Sequence, residues 1–139
     1  SWLDDVDTWK GAPNEPIQEE MDFKDVYNTY RLKTNKYKSK LRSFDETTQS
    51  FLLDHERFMQ YDFIYVDAHH TSASALLDCE LSWPLLKSGG LLAIDDYEWQ
   101  HPDGVDIHAP KIGIHMFLDR HEGEYEELAR NSQVWIRKK

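Results

Sequence analysis

Two stretches of the chain run from apolar residues straight into acidic ones. In YDFIYVDAHH, residues 61–70, the run Phe63 to Val66 leads to Asp67, with His69 and His70 just beyond. In LLAIDDYEW, residues 91–99, four apolar residues lead to the adjacent pair Asp95 and Asp96. A carboxylate resists burial, and each of two neighbouring ones raises the cost of ionising the other. Three carboxylates converging at strand ends are tolerable around a cation, and an oxygen-rich set suits Mg²⁺, Mn²⁺ or Ca²⁺ better than Zn²⁺. Either histidine could act as a general base or as a further ligand, the latter shifting the preference toward Mn²⁺, Fe²⁺ or Zn²⁺. Each aspartate alone has a plainer reading. An Asp after a strand is a common turn or N-cap residue, and Asp67 with Thr71 close behind could simply start the next helix. Tyr97 and Trp99 read equally well as pocket wall or as loop packing. His55, His101, His108, His115 and His121 show no ligand spacing and read as surface or packing residues.

These residues need strands that end together. The segment DDVDTW reads as a brief strand before the turn-rich KGAPNEP. EEMDFKDVYNTYRLK places Met21, Val26 and Tyr30 at helical spacing, with Phe23 and Tyr27 beside them. KSKLRSF reads as a strand. DETTQSFLLDHERF reads as a helix opened by Asp45 and Glu46, acidic residues that suit the positive end of a helix dipole. YDFIYVDA is apolar on both faces, the pattern of a central parallel strand covered by helices. From Thr71 to Leu86, Ala73, Leu77, Leu81 and Leu85 recur at steps of four, widened by Leu76, Cys79 and Trp83, with KSGG as the C-cap. LLAID is the next strand, EWQHPDGVDIHA a polar loop, and KIGIHMFLDRHEG a helix starting near Pro110 and closed by Gly123. A short polar segment then leads to a last strand, QVWIR. Strands alternating with helices imply one α/β domain over residues 1–139, in which ligands gather at the carboxyl ends of the strands. Strands joined by a single helix crossover are commonly neighbours, which would bring Asp67 close to Asp95 and Asp96.

The totals narrow the class of function. A length of 139 residues with 40% hydrophobic and 13% aromatic content supports a real core. A net charge of -10 argues against broad binding to nucleic acid or to an anionic membrane surface. The basic stretch KTNKYKSKLR reads as a solvated helix end and strand edge. The single Cys79 forms no internal disulfide and sits in an apolar setting, as in a reducing, cytoplasmic compartment. No apolar run is long enough for a membrane span, and the acidic start SWLDDVDTW has no secretory pattern. A nucleophile elbow, a P-loop, a paired-Cys motif and a G-x-G-x-x-G loop are all absent from the sequence.

The stretch YDFIYVDAHHTSASALLDCELSWPLLKSGGLLAIDDYEW closely resembles the core of class I S-adenosylmethionine-dependent methyltransferases, in particular the small-molecule and sugar O-methyltransferase group. That group's pattern is F-D-[FY]-[IV]-Y-[IV]-D-G-S-H, then a helix ending L-L-K-P-G-G, then a strand ending D-D-Y. VDTWKG resembles its second strand, while APKIGIHMFLD and SQVWIRKK resemble its closing helix and last strand. The resemblance implies a Rossmann-like α/β fold, a mostly parallel sheet flanked by helices with an antiparallel C-terminal strand, and a first strand that is missing here together with its glycine-rich cofactor loop. It implies that Asp7 meets the ribose hydroxyls of S-adenosylmethionine, and that Ser43 and Phe44 lie by the adenine. It further implies a divalent cation (Mg or Mn) at Asp67, Asp95 and Asp96, with His70 as base or metal-side ligand and Asp67 sharing in catalysis. Ala68 and His69 replace the usual Gly-Ser. The activity implied is methyl transfer to a hydroxyl of a small molecule or sugar, with the metal orienting and acidifying that hydroxyl. The alternative expectation is a non-catalytic, degenerate methyltransferase-fold domain that binds a partner or forms a homo-oligomer through the sheet edge left by the missing strand.

Overall fold

The computed structural model describes residues 1–11, 21–55, 60–67, 69–100 and 103–139. They form two compact units, Ser1–Phe51 and Leu52–Lys139, each with its own sheet. Among the described residues no helix is long and apolar enough to cross a membrane.

In the first unit, β1 (Leu3–Val6) and β2 (Leu41–Phe44) pair in parallel, with Asp5 opposite Ser43 and Val6 opposite Phe44. Asp4 and Arg42, opposite one another in this register, form a two-pronged ion pair with both contacts at 2.6 Å. Arg42 thus belongs to the strand pair, while the lysines before it line the solvated end of α1 (Phe23–Thr34) and the turn that follows. The α1 N-terminus is set by Asp22, whose carboxylate accepts the backbone N–H groups of Lys24 and Asp25. Tyr27 and Tyr30 of α1 pack on Trp9 with ring centroids 5.1 and 4.5 Å apart.

The helix α2 (Thr48–His55) begins later than its sequence suggested. Asp45 and Glu46 precede it, and the Thr47 hydroxyl caps it by accepting the Ser50 N–H. A short side chain that reaches back to the first free N–H groups positions a helix start more closely than charge alone. The expected continuation through residues 56–58 lies outside the described residues, as do residues 12–20, Ala68 and His101.

The second unit holds β3 (Tyr61–Val66), β4 (Leu86–Ile94), β5 (Tyr125–Arg130) and β6 (Val134–Lys138) in the order β3-β4-β6-β5. The β3–β4 pair is parallel, and β6 runs antiparallel to both β4 and β5. The expected antiparallel C-terminal strand is therefore present, and the mixed sheet is flanked by α3 (Ser72–Ser82) and α4 (Pro110–Arg120). Leu92, Ile94, Val134 and Ile136 form the sheet side of a core closed by Cys79, Ile114, Phe117 and Leu118. Cys79 is fully buried, and that burial pushes its thiol pKa far up, leaving an inert thiol.

Four expectations change here. Among the described residues β3 lies at the edge of its sheet, so Phe63 and Tyr65 stand exposed on one face while Val66 packs into the core on the other. The helix expected from Thr71 to Leu86 stops at Ser82, where Pro84 turns the chain into a 3₁₀ turn, and the KSGG segment belongs to β4. The buried face of α3 is Ala75, Asp78, Cys79 and Ser82, with Leu77 exposed. The reason is the close crossing of α4: a Cβ on Gly113 would sit 1.9 Å from the Ser72 carbonyl, so small residues must line that face. Finally, YEELAR is a strand, β5, held among the described residues by β6 alone and exposed along most of its length. A solvated edge strand has no buried face and so no apolar alternation to reveal it.

Candidate functional site

The β3–β4 register sets the second unit's site. Val66 pairs with Ile94, and the Asp95 N–H donates to the Val66 carbonyl at 2.9 Å, so Asp67 and Asp95 leave their strands side by side. The chain then turns sharply at Asp96, whose φ of 58° lies in the left-handed region that Asp tolerates better than most residues. This turn brings Asp96 Oδ2 to 2.8 Å from His70 Nε2, which is also 3.7 Å from Asp67 Oδ1. One ligand-capable atom from each of Asp67, His70 and Asp96 lies within 4.8 Å of the others. The Trp99 ring tilts against the His70 imidazole with centroids 5.2 Å apart.

The plainer reading of Asp67 as a helix cap does not fit this geometry. Thr71 is the N-cap of α3, its hydroxyl accepting the Ser74 N–H at 3.2 Å. Asp67 is left exposed beside His70. His69 is not part of the three-residue group, and its carbonyl accepts the Thr71 N–H.

Asp95 is turned elsewhere. Its carboxylate accepts a short hydrogen bond from the Tyr65 hydroxyl, the Asp96 N–H at 2.9 Å and the Gln133 amide at 3.2 Å. Partial burial raises the Asp95 pKa, but these hydrogen bonds outweigh it and hold the carboxyl below its usual range. The same contact with Asp95, aided by burial, pushes Tyr65 up to about 12. Tyr97, the third residue of D-D-Y, is buried: its ring stacks on His115 and its hydroxyl meets His115 Nε2 at 2.7 Å. It is a packing residue.

In the first unit, the residues expected to meet the cofactor also gather at carboxyl strand ends. Asp7 follows β1, its N–H donating to the Phe44 carbonyl at 3.1 Å and its Oδ1 accepting the Trp9 N–H at 2.7 Å. Ser43 is exposed on β2, and Phe44 packs on Phe51 with centroids 4.8 Å apart. The Asp7 carboxylate is thus oriented by its own turn while the residue stays exposed.

Sequence reasoning did not find Tyr65, Gln133 or Trp135. Tyr65 read as one more apolar strand residue, and Gln133 lies 38 residues from the Asp95 it meets. The available signal was the alternation in YDFIYV, which sets Phe63 and Tyr65 on the face opposite Ile64 and Val66.

The two carboxylates alone fit a hard divalent cation of the Mg²⁺ or Mn²⁺ kind, and the imidazole as a third ligand shifts the fit toward Mn²⁺, Fe²⁺ or Zn²⁺. Residues 1–97 match the sequence profile of a methyltransferase domain. No curated protein matches the chain. Among solved structures, it is similar to a putative caffeoyl-CoA O-methyltransferase from Staphylococcus aureus, with 18% identity, a TM-score of 0.59 and coverage of 86% of this chain and 61% of that one. An O-methyltransferase from Bacillus cereus in complex with SAH matches 97% of this chain and 73% of its own, at 13% identity and a TM-score of 0.63. The MycE methyltransferase of the mycinamycin biosynthetic pathway, in complex with Mg and SAH, matches 71% of this chain and 32% of its own, at 16% identity and a TM-score of 0.56. The chain therefore spans about three fifths of the Staphylococcus aureus protein's length. With strand ends, acidic turns and a matched profile over most of its residues, the chain belongs to the methyltransferase domain family, on the class I S-adenosylmethionine-dependent fold.

Proposed function

We propose that the chain serves S-adenosylmethionine-dependent methyl transfer to a hydroxyl of a small molecule or sugar, assisted by a divalent cation. The observation that carries this reading is the convergence of Asp67, His70 and Asp96 at two adjacent strand ends. Asp67 and Asp96 would hold the ion. When bound, it would supply Lewis acidity that lowers the pKa of an acceptor hydroxyl. His70 Nε2–H donates to Asp96 at 2.8 Å, which leaves Nδ1 to take the hydroxyl proton, and the nearby Asp67 and Asp96 carboxylates stabilise the imidazolium that results. Trp99 shields one side of that imidazole from water. Asp7 accepts hydrogen bonds from the ribose of the methyl donor, and Phe44 and Ser43 border its adenine.

The test is transfer of labelled methyl from S-adenosylmethionine to a panel of catechols and sugar diols, with Mg²⁺ or with EDTA. His70→Gln should lower kcat by about 100-fold or more, the usual contribution of a positioned base. Full activity in EDTA would remove the cation from the reading.

A second reading rests on a separate observation. The edge strand β3 exposes Phe63 and Tyr65, and Phe63 stacks on Trp135 of β6 at 5.9 Å. An edge strand with exposed aromatic residues is suited to pairing with another chain, including a second copy, in a domain without activity of its own. A folded chain that binds no S-adenosylhomocysteine but self-associates would favour it.

A further inference from the structure

We propose that Tyr65 and Gln133 are positioning residues, which fix Asp95 as the anchor of the turn that presents the Asp96 carboxylate to His70 and Asp67. The inference rests on the reading of Asp67, His70 and Asp96 as a cation site and assigns Tyr65 and Gln133 the task of holding the turn beside it.

Asp96 holds a left-handed backbone conformation, with φ 58°. For a residue with a Cβ this costs about 1–2 kcal/mol and persists only where the surroundings enforce it. Three contacts enforce it here. The Asp96 N–H donates to Asp95 Oδ1, the Tyr97 N–H to the Ser132 carbonyl at 3.0 Å, and the Trp99 N–H to the Asp96 carbonyl at 3.1 Å. The first holds only if the Asp95 carboxylate stays where it is.

Asp95 is held by a chain of side chains from β3 and β6. Gln133 donates from Nε2 to the Tyr65 hydroxyl at 2.8 Å and to Asp95 Oδ1 at 3.2 Å. The Tyr65 hydroxyl in turn donates to Asp95 Oδ2. The Gln133 amide cannot flip without loss, because its Oε1 accepts the Trp135 indole N–H at 3.1 Å. Trp135 is itself stacked on Phe63. Both Asp95 oxygens are therefore engaged by groups on neighbouring strands. Moving either oxygen away would break the Tyr65 bond or release the Asp96 N–H. The Asp96 Oδ2 atom, by contrast, already faces His70.

The experiment pairs Mn²⁺ titration by electron paramagnetic resonance with amide hydrogen exchange by NMR, on the wild-type chain, Tyr65→Phe and Gln133→Ala. Each variant should weaken Mn²⁺ binding by about tenfold, the scale set by groups that orient metal ligands. The double variant should lose little more than either single one, because both act through Asp95. In the absence of metal, the Asp96 amide should exchange about tenfold faster in both variants, while the Asp95 amide, bonded to Val66 across the strands, keeps its protection. A structural role in the sheet at large would expose both amides together. Mn²⁺ binding as tight as wild type in both variants would overturn the proposal, as would unaltered Asp96 exchange in both variants. If the wild-type chain binds no Mn²⁺ but the Asp96 amide still loosens, the cation reading fails and the positioning role stands.

Discussion

Replacing Gly113 by Ala tests the close contact on which the second unit is built. Gly113 lies in α4 where it crosses α3, and a Cβ there would meet the Ser72 carbonyl oxygen at 1.9 Å and the Leu76 nitrogen at 2.9 Å. Both are backbone atoms and cannot rotate away. Restoring a contact of 3.4 Å from 1.9 Å requires the helices to part by 3.4 − 1.9, about 1.5 Å, across a packed face. Overpacking of this kind costs about 3 kcal/mol, and Ala returns about 1 kcal/mol of helix propensity over Gly, leaving a net loss of about 2 kcal/mol. For a unit of this size each kcal/mol moves Tm by roughly 4–8 °C, so Tm should fall by about 10 °C. The shift also reaches the site, because Ser72 lies two residues beyond His70. Urea and thermal unfolding of Gly113→Ala measure the loss directly. A variant within about 0.5 kcal/mol of wild type, or a stabilised one, would refute the packing argument.

Two further outcomes follow from the second unit. His121 stands between Glu124, 2.8 Å from Nδ1, and Glu80, 3.0 Å from Nε2, with Arg120 also on Glu80. Burial pushes the His121 pKa down, but Glu124 and Glu80 outweigh it and raise it above its ordinary value near 6.5. A raised folded-state value means stabilisation fully present below that ordinary value and lost as pH rises through the folded one. Stability measured by urea unfolding should therefore fall from pH 6 toward pH 8, and His121→Gln should flatten that slope; an unchanged slope in the variant would discount the triad. Thr71→Ala removes the α3 cap and should cost about 1 kcal/mol, read by chemical denaturation, with no loss expected from Asp67→Ala at the same helix.

Much of this arrangement is legible in the sequence because it rests on local signals. The apolar runs before Asp67 and Asp95 fix where β3 and β4 end, and Pro110 and Gly123 bracket α4. The convergence of strand ends then follows from parallel pairing. What local patterns cannot show is who partners whom across the sheet. Asp95 and Asp96 look equivalent as neighbours in sequence, yet Tyr65 and Gln133 face one and His70 faces the other. The solvated strand β5 carries no apolar alternation. The α3 face is set by its close crossing with Gly113 on another helix, so Leu77 of the leucine spacing points to solvent, while Cys79 keeps its expected place in the core.

In the proposed function Asp67 and Asp96, with His70 beside them, hold a divalent cation that serves methyl transfer. Titration of the chain with Mn²⁺, with and without S-adenosylhomocysteine, tests it most directly. Saturable binding of one ion per chain is expected, lost in Asp67→Asn and in Asp96→Asn. Binding of equal strength in wild type and both variants, or no binding by a folded wild-type chain, would contradict it.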